Sequence, residues 1–520
     1  MGQVIGGNVA PSLMTTGTTN FSQKKRSPLF PSFEGPCIKT LRELYTGKGT
    51  SLMKRNLRQN VFPFKLEMMD KDDQLTGFGG LPLVHELYHK IKLPKLIKRY
   101  IRVKAKGWSE SEIIEALVAL SIAGGEHMDD MTILRSDHAY QRVIGKKGIP
   151  SAKAVERFLK RFHNSRQKPK DATAWVPKEN RALQGLAKVN RALVSRLIEA
   201  SGLTTVTIEN DATAVFSQKE QSYPTYKGGT GYMPVVGSIA ELGIVVHDEF
   251  RDGNVPPGFE VMRFFKGCEK SLPKTVKRIR TRLDGAYYNH DLIEYFNKQG
   301  IEFTITAEKR KGFMEWIEAI SETEWKPLMK PTEHRWVESG REWAEVHWVS
   351  ARGTREFMDE HTYRYLVTRR TQVQWEMFQQ DASFETTISD RYEVIVTNMD
   401  WFGDRLIRWH YERGGCIEQL HDRLKNDLAG GILPCAEFGA NAAWWRIQCI
   451  AWNLVRALQI HMLPEEFSRC HLKKLRLWLI CIAGRVIKSG RQIILKLTRN
   501  HPAFDIYKNA RRLIAGFAFT

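Results

Sequence analysis

The stretch 411–428, YERGGCIEQLHDRLKNDL, decides how the rest of the chain is read. Tyr411, Glu418 and Lys425 recur every seventh residue, which is about two turns of a helix at ~3.6 residues per turn. After Gly414 and Gly415 the run reads as helix. Ile417, Leu420 and Leu424 give it an apolar face, and Gly430-Gly431 give it a stop. A carboxylate fixed on a helix, with a lysine two turns on, can hold a hard metal and a phosphate side by side. Glutamate and lysine also decorate solvated faces, so the stretch needs partners elsewhere in the chain.

Two aspartates supply them. Asp211 ends LTTVTIEND (203–211), where Val206 and Ile208 alternate with Thr205 and Thr207 as in a strand. Asp284 ends KRIRTRLD (277–284), with Ile279 and Leu283 apolar. An aspartate at a strand end points past the sheet edge. Two of these and a helix-borne glutamate make an oxygen-rich cluster of the kind that suits Mg²⁺ or Mn²⁺. Asp248, Glu249, Asp252, Asp291 and Glu294 compete for the same role, and the residue pattern alone does not choose among them.

The order strand–Asp211, strand–Arg282-Leu283-Asp284, Tyr411…Glu418…Lys425 resembles the DDE transposases of bacterial insertion sequences, in the group with a Tyr–Arg–Glu–Lys signature and, within it, the thirteen-eighty family. The resemblance spans about residues 77–500. One position departs from it: the family pattern has arginine three residues after the tyrosine, where this chain has Gly414, preceded by Arg413. The resemblance implies that Asp211, Asp284 and Glu418 are catalytic and hold two Mg²⁺ ions, with Mn²⁺ able to substitute. Asp211 would bridge the two ions. Tyr411, Arg413 and Lys425 would hold the DNA backbone. It also implies the fold: an α/β, RNase H-like mixed-sheet core, interrupted by a mostly β insertion and flanked by helical N- and C-terminal regions.

Composition agrees with a nucleic-acid partner. The 520 residues carry 79 Lys and Arg against 58 Asp and Glu, a net charge of +21, and such an excess favours a polyanion. A hydrophobic share of 42% can support a sizeable core and argues against global disorder. The seven cysteines form no CxxC pair and no Cys/His cluster of zinc spacing, which fits reduced thiols in a cytosolic protein. No signal-peptide core is evident. The apolar stretch 475–487 is short, contains Arg476 and Arg485, and reads as a core helix, not a membrane span. No Gly-rich phosphate loop is present, so no nucleotide cofactor is expected. The expected setting is the bacterial cytoplasm, on the nucleoid.

In chain order, residues 1–75 read as a flexible basic arm, with Glu34 and Glu43 the only acids up to residue 59. Residues 76–200 read as a helical DNA-binding domain. Ser109 can cap one of its helices. Ser151 can cap another whose Lys153, Arg157, Lys160 and Arg161 lie off the apolar face of Val155, Phe158, Leu159 and Phe162. Residues 201–306 hold the first part of the core: strands 203–210, 231–239 and 243–250, helix 258–267, strand 277–283, helix 290–299 and strand 302–306. The interval from Asp284 to Glu418 is too long for a loop, so 307–400 is read as an insertion domain, with strand-like runs at 363–368 and 392–397 and several tryptophans. Residues 401–460 complete the core, and 441–460 form an apolar helix. Residues 461–520 read as a basic helical region with Lys473, Lys474, Arg476, Arg485, Lys488, Arg491, Lys496 and Arg499.

The reading is a transposase that binds terminal inverted repeats in double-stranded DNA, as a homodimer joining two ends, and cuts and transfers strands. The alternatives are a catalytically silent DNA-binding derivative, a stand-alone nuclease of the same fold, and a glycosidase with paired carboxylates. A salt titration separates the last. Contacts between Lys or Arg and phosphate release counterions, so affinity for DNA is expected to fall steeply as salt rises, whereas a sugar ligand would show no such slope.

Overall fold

The computed structural model describes residues 57–58, 65–66 and 74–518, apart from 105, 166–172, 221, 309–310, 347–362 and 378–383. The chain divides into two compact units, 1–71 and 72–520. In the first, Leu57–Arg58 and Lys65–Leu66 pair antiparallel; of the expected arm only these and residues 74–75, where Leu75 begins a strand of the second unit, are described.

The second unit is built on a nine-stranded mixed sheet. In chain order its strands are β1 (Thr205–Ala212), β2 (Val235–Ile239), β3 (Ile244–Glu249), β4 (Arg278–Leu283), β5 (Glu302–Thr306), β6 (Lys326–Pro331), β7 (Trp336–Val346), β8 (Arg364–Met377) and β9 (Phe384–Thr397). Across the sheet the order is β6-β7-β8-β9-β5-β4-β1-β2-β3. β1, β2 and β3 pair antiparallel, whereas β4 lies parallel to both β1 and β5. Both parallel connections carry a helix, Val261–Glu269 before β4 and His290–Gln299 before β5.

The strands of the expected insertion do not form a body of their own. β9 pairs antiparallel with β5 through Thr304–Thr397 and Ile305–Val396, so the interval 307–400 continues the core sheet. The physical reason is the edge: β5 alone would leave a row of unpaired backbone groups, and β9 covers it.

Helices pack around this sheet. α1 (Glu110–Ala123) starts in a capping box between Ser109 and Glu112, and α2 (Ala152–Lys160) is capped by the Ser151 side chain. With α3 (Arg181–Ala200) and the shorter helices between residues 82 and 143, they make the N-terminal region helical, as its periodicity indicates. α4 (Gly403–Asp422) packs against β1 and β4. α5 (Phe438–His461) is buried on nearly every side among α1, α3 and β3. A helix that is apolar all round belongs in a core, and two of the polar side chains it carries are tied to their surroundings, whereas Gln448 is buried with neither its Oε1 nor its Nε2 hydrogen-bonded. Arg446 Nε donates to both Asp248 oxygens at 2.9 and 3.1 Å, Nη1 to the Leu183 carbonyl at 2.9 Å, and Nη2 to Glu179 at 2.7 Å. Asn453 Oδ1 accepts from the Val245 N–H at 2.7 Å.

The C-terminal region departs from the helical expectation. The helix Leu472–Leu475 runs into a single π turn, Arg476–Ile480, and the chain then forms a hairpin of Gly484–Ser489 and Gln492–Leu497 that also pairs with Leu75–Thr76. The stretch 475–487 is therefore not one core helix. Interleaved Lys, Arg, Leu and Ile fit a helix period, but Val486, Ile487, Ile493 and Ile494 are β-branched, and a two-residue turn at 490–491 begins with Gly490 at φ 57°. Among the described residues no helix is long and apolar enough to cross a membrane.

Replacing Arg446 with methionine would strand the buried Asp248. A loss of about 3–5 kcal/mol is expected, read as a lower urea midpoint with native secondary structure at zero denaturant.

Candidate active site

β1 and β4 run side by side with Thr281 opposite Ile208. Continuing that register sets Arg282 opposite Glu209, and Asp284 opposite Asp211. Side chains on a strand alternate faces, so Glu209 and Asp211 share one face of β1 while Arg282 and Asp284 share the same face across the pair. Asp284 opens a turn, its Oδ1 accepting from the Ala286 N–H at 3.1 Å, and Asp211 Oδ1 accepts from the Ala212 N–H at 2.8 Å.

Burial and then the charge of Asp284 push the Asp211 carboxyl up to about 6, with Arg413 opposing. Burial likewise raises Asp284, against Arg413, the Ala286 N–H and Lys227. The two carboxylates are thus electrostatic neighbours, and α4 lies across both. Its Arg413 Nη1 stands 3.7 Å from Asp284 Oδ2, and its His421 Nδ1 stands 3.8 Å from Asp211 Oδ2. Burial, then Lys425, Lys227 and Arg413, push His421 down to about 3, so the ring is neutral near pH 7. Its Nε2 is buried without a hydrogen-bond partner.

Glu418 is exposed on α4, between Arg413 and His421 in sequence. The helix begins eleven residues before the expected Gly-Gly start and carries Gly414 and Gly415 in its middle. A Cβ at Gly414 would lie 3.9 Å from Glu418 Oε1, and one at Gly415 would meet nothing within 4 Å. No neighbouring side chain requires these glycines; they leave bare helix backbone beside the glutamate. Among the described residues no three His, Cys, Asp or Glu side chains are gathered closely enough to hold a metal ion. The donor chemistry does fit one: two half-buried carboxylates, one of them raised by the charge of the other, are relieved by a hard cation between them.

The other expected residues are placed as follows. The Tyr411 hydroxyl is hydrogen-bonded to Thr368 and Glu393, both at 2.8 Å, and Arg341 stacks on its ring at 4.8 Å. Tyr411 therefore ties α4 to β8 and β9. Lys425 lies beyond the end of α4, in the π turn Arg423–Asp427, and borders a cavity of about 450 Å³ shared with Asp422, Asn426 and Lys473. Burial and then Lys227 lower its pKa. Lys153, Arg157, Lys160 and Arg161 are exposed on or just after α2, with Lys160 paired to Glu156 at 2.8 Å and Glu437 at 3.5 Å. Among the described residues no hydrogen bond or ion pair joins these four to the aspartates.

Several residues were not singled out from the sequence. One is His421, one turn beyond Glu418. Another is Lys227, whose charge acts on Asp211, Asp284, His421 and Lys425. It stacks over the Tyr226 ring at 5.8 Å, in a small sheet of Val215–Phe216, Tyr223–Pro224 and Thr230–Tyr232 that follows Asp211. Lys219 fastens that segment to the Leu433 carbonyl at 2.6 Å and to the Cys435 carbonyl. The third is the pair Glu209–Arg282, joined at 2.6 Å and marked in the sequence by its place two residues before each aspartate.

Comparison with known proteins bears on this arrangement. No curated protein matches the chain. Among solved structures, a cryo-EM structure of the piggyBac transposase synaptic complex with hairpin DNA is similar at 11% identity over 78% of this chain and 77% of that one, with a TM-score of 0.36, a likeness too slight to carry an argument. The model of the family described as transposase DDE domain group 1 matches residues 59–517. With that match spanning nearly the whole length, the chain belongs to the transposase DDE domain group 1 family.

Proposed function

We propose that this member of the family is an active DNA transposase of an insertion sequence, in the thirteen-eighty family, that binds terminal inverted repeats and moves its element by cut-and-paste cleavage and strand transfer. The observation that carries the reading is the pair Asp211 and Asp284 at the ends of adjacent parallel strands, with α4 laid over both. The order β3-β2-β1-β4-β5, three antiparallel strands followed by two parallel ones reached through helices, supports an RNase H-like core.

In this reading Asp211, Asp284 and Glu418 hold two divalent ions, Mg²⁺ or Mn²⁺. When bound, the ions supply activation of the attacking oxygen and stabilisation of the leaving oxygen in an in-line displacement. The chain's own residues do the rest. The two aspartates are half-buried, which limits the water around them. Neutral His421 stands against Asp211 and orients it. Arg413, Lys425 and Lys227 set positive charge on two sides of the carboxylates, where a scissile phosphate would lie. The bare backbone at Gly414 and Gly415 lets a DNA strand approach Glu418 closely. Lys153, Arg157, Lys160 and Arg161 present a basic face for double-stranded DNA away from the cleavage site. Hydrolysis frees a 3′-hydroxyl that then attacks a second phosphate, with no covalent enzyme intermediate. Joining two ends calls for a homodimer, and the bacterial cytoplasm is the proposed setting.

One observation favours a second reading, DNA binding without cleavage: Glu418 is exposed and no three-ligand cluster is gathered among the described residues. Mg²⁺-dependent cleavage of DNA carrying the element's ends decides between them. Glu418→Gln is expected to bind those ends as the native chain does and to cut at least ~100-fold more slowly. Equal cutting by both chains would remove Glu418 from the site. Binding without cutting by either, in Mg²⁺ and in Mn²⁺, would leave the silent reading. Lys227→Ala is expected to weaken binding about equally across DNA sequences and to lower the slope of log affinity against log salt by about 1.

A further inference from the structure

Arg282 is buried, yet it reaches three elements. From β4 its Nε donates to Glu209 on β1 at 2.6 Å, and its Nη1 donates to the Trp409 carbonyl at 2.5 Å and to Glu412 at 2.9 Å, both on α4. Its Nη2 donates to Cys416 Sγ at 3.5 Å, and its guanidinium lies over the Trp409 ring at 5.3 Å. It stands one rung of the β1–β4 ladder below Asp211 and Asp284. Arginine suits this place because its rigid fork of five donors can address several acceptors at once, which a lysine ammonium on a flexible stem does not do in fixed geometry.

Stability alone is a poor account of this cluster. Burying an ion pair costs desolvation that its attraction often fails to recover, and an apolar pair of similar volume commonly does as well. Here the pair is also incompletely satisfied: Glu209 is fully buried, and its Oε2 has no hydrogen-bond partner. What the cluster does provide is placement, since the same guanidinium that locks β4 to β1 also grips α4 at three residues along about two turns, 409, 412 and 416.

We infer that Arg282 is a positioning residue, whose guanidinium sets helix α4 against the two strand ends and so presents Glu418 to Asp211 and Asp284. The inference rests on the carboxylate reading given under Proposed function. A misplaced Glu418 would show first as weaker metal binding and only through that as slower cleavage. Arg282→Lys keeps the charge beside Glu209 but gives up the fork that holds α4. Glu412→Ala removes one anchor from an exposed position on α4 and leaves the buried pair intact.

The test is direct Mn²⁺ binding to the full chain, followed by electron paramagnetic resonance, alongside thermal unfolding and cleavage kinetics. For Arg282→Lys the expected result is a Mn²⁺ affinity lower by ~10- to 100-fold, the range seen when groups behind a metal ligand are changed. Cleavage should recover as Mn²⁺ is raised. Glu412→Ala should shift Mn²⁺ affinity a few-fold in the same direction with a native unfolding midpoint, which keeps the test decisive if Arg282→Lys folds poorly. Native Mn²⁺ affinity in both variants would overturn the inference while leaving the carboxylate site standing. A native chain that binds no Mn²⁺, or an Asp211→Asn variant that binds it as the native chain does, would overturn the carboxylate site, and the inference with it.

Discussion

Two carboxylates at one strand-end pair repel each other, and the residues around Asp211 and Asp284 are arranged about that repulsion. Each carboxyl is raised by burial, and Asp211 further by its neighbour. Positive charge is drawn in from separate parts of the chain: Arg413 from α4 and Lys227 from the segment after β1. These cations then limit one another. His421 is held neutral partly by Lys425, Lys227 and Arg413, and Lys425 is itself lowered by burial and by Lys227. Negative and positive side chains thus stand close together at the strand ends.

Much of this was legible in the sequence because it is local. Alternation around Val206 and Ile208 marked β1, the apolar face of Ile417 and Leu420 marked α4, and Ser109 and Ser151 announced their helices. Each signal is carried within a few residues of where it acts. What escaped reading is non-local. Nothing near residue 392 says that its strand will pair with residues 304–306, so the interval 307–400 read as a separate insertion when it extends the core sheet. Arg282 was quoted only as part of a motif, because its partners at 209, 409, 412 and 416 become visible once strands and helix are folded together.

The hairpin at 484–497 failed for a different reason. Its charges and aliphatic residues satisfy a helical period as readily as a strand one, and the deciding evidence is the β-branched residues on either side of Gly490. Tyr411 shows the same limit for function. Its place in the signature says nothing of Thr368 and Glu393, which engage its hydroxyl. A shared motif position fixes where a residue stands on a helix, not which neighbour reaches it.

The pairing of Leu75–Thr76 with Gly484–Arg485 has a temporal meaning. At synthesis speeds of roughly 5–20 residues per second, the interval between making these segments is on the order of tens of seconds. Asp211 emerges about a third of the way through that interval, Asp284 about halfway, and α4 late. A nascent chain therefore carries its strand-end carboxylates for many seconds without the helix that faces them, and the folded unit closes only when the hairpin returns to residue 75. A chain stalled before α4 is made holds both aspartates and lacks the helix that lies across them.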